Sequence, residues 1–335
     1  MKYRERVRIR FMIALVTSLI LFLPILAFAG GTNKEPLGAE DYLIGVVPPP
    51  SIAAKVYLSW YTASTQKDNN GNNVHLGSGA RLDKVNVFAE VNRVPFVTPL
   101  KFQVGGFDAF LIGHVVVPLV KPNVHVDAAP PGATAPVQVV NASPSGLADI
   151  TFGPGIGWHH KSGFYHGIIG FDIIAPTGQY NAYRPVSIGH NSWSFAPVMI
   201  FTVFPPFYPN IDFSIKFDYT FNTTNDDFIS PSGFKTHITY GNEFHFDYDI
   251  MHSLWGGKPG MQARGGVAGY FYQQTTKDSV HDPLFVDHLG RTFAIGPALF
   301  FDYKNWIFST HVYWETAVQN RSQGIQTQLT VLCKF

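Results

Sequence analysis

Over residues 207–222 the apolar side chains Phe207, Pro209, Ile211, Phe213, Ile215, Phe217, Tyr219 and Phe221 fall on one parity. Tyr208, Asn210, Asp212, Ser214, Lys216, Asp218, Thr220 and Asn222 fall on the other. A period of two puts the two sets on opposite faces of a β-strand. A face carrying Asp, Lys and Asp opposite so bulky an apolar one calls for hydrocarbon on one side and water or polar side chains on the other. The transmembrane β-barrel is the leading candidate.

The alternation recurs. Phe234, Thr236, Ile238, Tyr240, Asn242, Phe244, Phe246, Tyr248 and Ile250 oppose Lys235, His237, Thr239, Glu243, His245, Asp247 and Asp249. Later, Phe293, Ile295, Pro297, Leu299, Phe301 and Tyr303 form one apolar row and Trp306, Phe308, Thr310, Val312 and Trp314 another. A turn at Lys304-Asn305 makes these two rows a hairpin. Read throughout, the pattern predicts strands over 52–64, 84–97, 101–117, 149–159, 164–175, 191–203, 207–221, 234–250, 260–275, 290–303, 306–318 and 324–335. That is about 12 strands, in a range of about 10 to 14, and an even count suits a bacterial barrel.

The predicted connections alternate in length. Those near 65–83, 118–148, 176–190, 222–233 and 276–289 are long, and those near 98–100, 160–163, 204–206, 251–259 and 304–305 are shorter. This is the asymmetry of extracellular loops and periplasmic turns, and it places both termini in the periplasm. Residues 51–335 therefore read as one all-β, antiparallel transmembrane β-barrel. Residues 30–50, with Pro48-Pro49-Pro50, read as a non-helical periplasmic lead-in, and 128–146, rich in Pro, Ala and Val, as a surface loop.

Composition adds the address. Lys2, Arg4, Arg6, Arg8 and Arg10 precede an apolar run from Phe11 to Phe28 that ends in Ala27-Phe28-Ala29, so residues 1–29 read as a cleaved secretory signal peptide. Removing them takes five of the 24 Lys and Arg and one of the 23 Asp and Glu, which leaves a mildly acidic chain and no expectation of nucleic acid as partner. Charged residues are 14% of the chain and aromatics 15%, yet past residue 30 no apolar stretch approaches the ~18 residues of a membrane helix. The lone Cys333 excludes an intramolecular disulfide. The closing strand sets Ile325, Thr327, Leu329, Val331, Cys333 and Phe335 against Gln326, Gln328, Thr330 and Lys334, and its terminal Phe335 resembles the signature read by the barrel-insertion machinery.

Chemistry is sparse. There is no G-x-S-x-G and no H-E-x-x-H, and the expectation is no enzyme, no cofactor and no metal. His159-His160 with Lys161 reads as a surface turn, and Asp68-Asn69-Asn70-Gly71-Asn72-Asn73 as a hairpin tip rather than a calcium loop. Asn225-Asp226-Asp227 reads as solvated loop charge. The lumen parity gathers His166, Asp172, Asp212, Lys216, Asp218, His237, Glu243, His245, Asp247, Asp249, Arg264, His311 and Glu315. Mixed signs at this density narrow a water-filled pore, or else form an interior salt-bridge plug that conducts nothing. Trp193, Tyr219, Phe221, Tyr248, Trp306 and Trp314 read as interfacial girdle residues.

The chain resembles the outer-membrane protein family of the meta-pathway of phenol degradation. The resemblance is carried by Gly38-Ala39-Glu40 leading to Pro48-Pro49-Pro50, Tyr57, Tyr61, Asp149 and Trp158, then Pro176-Thr177-Gly178, Tyr180, Asn191, Trp193 and Pro197. Tyr219, Phe221-Asn222, Gly233, Tyr270, Gln273, Asp278, Gly296-Pro297, Glu315, Asn320-Arg321 and Gly324 continue it in order. Ser230-Pro231-Ser232 departs from the pattern where a Tyr is expected, as does the long 118–148 loop; both bear on selectivity at the outer rim. The resemblance implies a bacterial outer-membrane barrel admitting small aromatic or other hydrophobic compounds by passive diffusion. The expected partners are that solute, outer-membrane lipid and lipopolysaccharide, with the barrel itself a monomer. A lipid-modifying barrel enzyme, a closed structural barrel and a soluble secreted β-sandwich are the alternatives. The charged lumen fits poorly with a greasy tunnel, so loops or a lateral exit are expected to share the route.

Overall fold

The structure, a computed structural model, describes residues 32, 34–40, 42–74, 80–128, 137–208, 210–258, 260–283, 285 and 287–335. The signal peptide expected over 1–29 lies outside the described residues. Twelve strands build the wall: β1 (Ser51–Gln66), β2 (Ala80–Val104), β3 (Phe107–Ala128), β6 (Ile150–His160), β7 (Tyr165–Ala175) and β8 (Ser194–Val203) make one half. The other half is β9 (Ile211–Asn222), β12 (Glu243–Lys258), β13 (Met261–Gln274), β15 (Arg291–Tyr303), β16 (Trp306–Gln319) and β17 (Ser322–Lys334). Sequential neighbours pair antiparallel, and β1 pairs with both β2 and β17, which closes the barrel. No sheet edge is left along the wall, so every strand can satisfy its backbone within hydrocarbon.

The remaining strands lie outside the wall. β4 (Val137–Ala142) and β5 (Gly146–Leu147) pair along the upper part of β3, and β10 (Thr224–Ile229), β11 (Lys235–Thr239) and β14 (Ser279–Val280) form a separate three-stranded sheet at the long-loop end. The period-two reading of β9 holds residue by residue. Asp212, Ser214, Lys216, Asp218 and Thr220 are buried, while Phe213 and Phe221 are exposed. Trp193, Trp306 and Trp314 each point outward near the two rims. The fold is therefore inside-out relative to a soluble domain: polar side chains fill the interior and large apolar ones face out.

Three boundaries differ from the sequence reading. The strand expected over 234–250 breaks at Tyr240-Gly241-Asn242, where the Gly241 N–H turns to the Asp278 carboxylate at 2.7 Å and the absence of a Cβ lets its backbone pass against the Thr276 carbonyl. The turn expected at 98–100 is a register shift within a longer hairpin whose tip lies at Gly105-Gly106. Pro99 lacks an N–H for the ladder, which suits a bulge better than regular pairing. The strands flanking 251–259 likewise run on to Lys258 and Met261. The Asp68 hairpin tip forms as expected, with its Oδ1 accepting from the N–H of Asn70 and Asn72, each at 2.8 Å.

The candidate solute path through the barrel

The segment before β1 sits inside the barrel, not in the periplasm as the sequence suggested. Near the long-loop end the Thr32 N–H and hydroxyl both donate to Glu243, and the Lys34 ammonium donates to the Ser192 carbonyl at 2.9 Å and the Ser194 hydroxyl at 2.7 Å. The Gly45 N–H reaches the Thr202 hydroxyl at 3.0 Å, and His159 Nε2 reaches the Val47 carbonyl at 2.7 Å near the opposite rim. Residues 34–47 thus run the length of the lumen, and Pro48-Pro49-Pro50 leads out to Ser51 at the short-turn rim. The physical reason is unpaired backbone: a segment without periodicity must find acceptors for its N–H groups, and the polar inner wall offers them.

Gly38 makes the tightest fit. Its φ is +70°, and a Cβ there would lie 2.7 Å from the Tyr313 ring and 2.8 Å from that of Tyr270. Its N–H donates to Asp247 Oδ1 at 2.8 Å, and its carbonyl accepts from the Tyr313 hydroxyl at 3.0 Å and the Gln328 amide at 3.2 Å. The Glu40 N–H donates to the other oxygen of Asp247 at 3.0 Å.

The charged wall of β9, β12 and β13 is occupied in holding this segment. Lys216 lies 3.1 Å from Glu35 and 3.4 Å from Asp218. His245 bridges Asp218 at 2.9 Å and Asp247 at 2.6 Å, and Arg264 pairs with Asp212. Glu243 takes Thr32 as described. Glu315 is a hub on β16, accepting from the hydroxyls of Tyr61 at 2.8 Å and Tyr270 at 3.0 Å and from the Gly324 N–H at 2.7 Å. His311 is buried with its ring stacked on Tyr313, and Asp172 lies 3.3 Å from His114. His166 is half-buried at the short-turn rim. His237 is a correction: it is exposed on β11, in the sheet above the barrel, because the break at Gly241 removes that stretch from the wall.

Residues that the polar-parity reading missed complete the picture. Arg93 on β2 pairs with Glu40 and meets His114 Nδ1 at 2.9 Å, and Tyr57 donates to Glu40 at 2.6 Å. Together they form a waist across the lumen on the side of β1–β3. Above the waist lies a chamber of about 400 Å³, and below it one of about 820 Å³ that opens past Pro48, Pro49 and Pro50. The upper chamber is lined by Val85, Val87, Ala89 and Val91 of β2, Val116, Pro118 and Val120 of β3, and Leu37 and Ala39 of the segment, together with the polar groups of Glu35, Tyr61, Asp149, His190, Glu315 and Arg321. The lower one is lined by Val46, Val47, Pro95, Ile112, Ile168, Ile200, Phe204 and Phe300 among others. Here the wall is inverted: aliphatic side chains face in, while Glu90 and Asn92, joined by a 3.0 Å hydrogen bond, lie on the other parity of β2.

At the long-loop rim the Asp278 carboxyl accepts from the Gly241 N–H at 2.7 Å and the Gln274 amide at 2.9 Å. Burial, with a further push from Asp287 and Glu243, raises it to about 7 against the opposing Gly241 bond. A carboxyl raised on folding favours the folded rim while protonated, fully so below the unfolded value of about 4, and that support is lost as pH rises through about 7. Amide exchange across 236–242 and 276–282 should therefore be faster at pH 8 than at pH 5.5, beyond the intrinsic rate change. Asp278→Asn should flatten the difference, and an unchanged profile in that variant would refute the assignment.

A family model described as "Putative MetA-pathway of phenol degradation" matches residues 59–331. No curated protein matches the chain. Among solved structures, an outer membrane channel from Pseudomonas putida F1 (COG4313) is 15% identical, with a TM-score of 0.69 over 89% of this chain and 100% of that one. The β domain of the Bordetella autotransporter BrkA is 8% identical, with a TM-score of 0.50 over 86% of this chain and 100% of that one. At such identities the likeness is one of fold, that of bacterial outer-membrane barrels.

Proposed function

The chain belongs to this phenol-degradation family, and on that premise we propose that it is an outer-membrane channel for passive uptake of small hydrophobic or aromatic compounds. The route runs between the inner segment and the aliphatic wall of β2 and β3, not through the charged half of the lumen. The observation that carries this is the run Val85, Val87, Ala89, Val91, Val116, Pro118 and Val120 facing the open upper chamber. Aliphatic side chains in a barrel interior cost solvation unless an apolar partner visits them. Of the charges that argued against a greasy tunnel, Lys216, Glu243 and Asp247 are engaged by Glu35, Thr32, Gly38 and Glu40, while Asp212 and Asp218 pair within the wall with Arg264 and His245. No covalent chemistry is needed for this role. The solute class follows from the family and the lining.

Export by residues 1–29, recognition of Phe335 by the insertion machinery and a monomeric barrel in lipid and lipopolysaccharide complete the proposal. A closed structural barrel is the competing reading, favoured by the segment filling the lumen. Single-channel recording in planar bilayers decides between them. A small aromatic alcohol should transiently interrupt the ionic current of the wild-type protein. Val87→Glu and Val91→Glu should each shorten those interruptions roughly tenfold, since a buried Val is worth about 1.5 kcal/mol of apolar contact. No current at all, or a current indifferent to the alcohol, would defeat the channel reading.

A further inference from the structure

The outer surface of β1, β2 and β3 turns polar toward the long-loop end. Register fixes which side chains face out there. Trp60 pairs with Phe88 and Phe88 with Lys121, and in the next outward row Thr62 pairs with Asn86 and Asn86 with Asn123. Trp60 is exposed, and its ring lies 5.4 Å from that of Phe88. With Ile325 and Thr327 of β17 these side chains line an outward crevice of about 420 Å³. Lys121 in the crevice and Lys84, beyond Asn86 on the same face of β2, are both exposed. No carboxylate among the described residues pairs with either. Outward Trp and Phe rings mark the headgroup level of a barrel, so two unpaired ammonium groups stand where anionic headgroups lie.

The polarity continues toward the middle of the membrane. Glu90 pairs with Leu58 and Leu119, and Asn92 with Val56 and Val117. The Asn92 amide donates to Glu90 Oε1 at 3.0 Å, and apolar neighbours on both sides leave the pair facing lipid. On the opposite wall a paired outward row across β9, β12 and β13 reads Phe217, Phe246 and Phe271. A carboxyl group on the lipid face is costly and calls for a partner. The lumen does not require it, because the other face of β2 is the aliphatic wall of the upper chamber.

We propose that this sector binds one molecule of lipid A, the phosphorylated and acylated glucosamine disaccharide of lipopolysaccharide. Lys121 and Lys84 take a phosphate, with the Asn123 amide beside them, and Trp60 and Phe88 pack against the first carbons of an acyl chain. Glu90 and Asn92 take the groups just below. A carboxylate only accepts hydrogen bonds, so Glu90 needs a donor. The chains of lipid A begin with amide N–H and 3-hydroxyl groups directly beneath the phosphates. A glycerophospholipid carries only ester acceptors at that depth, so it satisfies the lysines and leaves Glu90 without a partner. The site rests on the outer-membrane location of the barrel and not on the solute route, so a failure of the channel recordings would leave it standing.

Native mass spectrometry of the full-length protein, released from detergent after incubation with equal amounts of bis-phosphorylated lipid A and phosphatidylglycerol, tests it. A single lipid A should stay bound to each barrel under conditions that strip phosphatidylglycerol. Lys121→Gln and Lys84→Gln should each weaken retention about fivefold. Glu90→Leu combined with Asn92→Leu should weaken lipid A by a similar factor and leave phosphatidylglycerol unchanged. Lys101→Gln, at the short-turn rim beside Asp108, should retain lipid A as the wild type does. Equal retention of the two lipids overturns the proposal, as does a lipid-free dimer or retention unchanged in all the sector variants. Should a variant lose heat-modifiable mobility, the wild type alone decides: dephosphorylated lipid A must be lost where the bis-phosphorylated form stays, and equal retention of both refutes the site.

Discussion

Removal of residues 34–47 should raise the single-channel conductance several-fold and abolish the current interruptions caused by aromatic solutes. The segment spans the lumen from Lys34 beside Ser192 to Val47 beside His159, so its loss merges the two chambers and the charged half of the interior into one water-filled pore. The deletion strips partners from Lys216, Asp247 and Arg93, which would be ruinous in a dry core. Here water enters as the segment leaves, and the cost of burying those charges disappears with the burial. The barrel ladder is untouched, and heat-modifiable mobility should persist. Gly38→Val provides a subtler version. A β-branched residue is strained at φ +70°, and its Cβ position is already taken by the rings of Tyr313 and Tyr270. That variant should expel the segment without shortening the chain. Wild-type conductance in both variants would mean that the segment does not occupy the pore.

The wall at β9 was readable from sequence because lipid holds one face of that strand to apolar side chains at a period of two. Asp212, Lys216 and Asp218 could be assigned to the interior by parity alone, since any other placement would put charge in hydrocarbon. The same rule failed at His237, where parity continued across the break between β11 and β12 that no polar–apolar pattern marks. It also gave an incomplete view of β2. Val85, Val87, Ala89 and Val91 carry the mark of a lipid-facing row, yet they line a chamber. Parity separates two faces but does not say which one is inside when a chamber within the barrel is itself apolar.

The inner segment was illegible for a different reason. Residues 34–50 have no periodicity, and every anchor that places them is distant in sequence: Glu35 with Lys216, Gly38 with Asp247, Glu40 with Arg93. Yet the residues that carry the family resemblance fall at these anchors. Gly38 and Glu40 lie on the segment, Tyr57 grips Glu40, and Tyr61, Tyr270 and Gly324 all converge on Glu315. Their scatter along the chain becomes contact once the barrel closes. The division of labour follows: one half of the lumen spends its charge on the segment, and the segment screens that charge from the aliphatic half. A hydrophobic path and a highly charged interior are then compatible.

Lys216→Met should release the segment while leaving the barrel folded. Lys216 is fully enclosed between Glu35 and Asp218, and losing one partner of a buried ion cluster costs about 3–5 kcal/mol. Asp218 retains His245, so the unpaired charge that matters is Glu35. Glu35 sits on the one element that can leave, and water is a better solvent for its carboxylate than the vacated site. The penalty is therefore capped by the free energy of seating the segment, and the expected phenotype is that of the deletion: higher conductance and protease cleavage within 34–47 in an otherwise resistant barrel. Glu35→Gln combined with Lys216→Met removes both charges and should restore protection and low conductance to a large extent, a non-additivity that a simple packing defect at Lys216 would not produce. If Lys216→Met is as protected as the wild type, or if the double variant is no better than the single one, the Glu35–Lys216 pair is not what holds the segment in place.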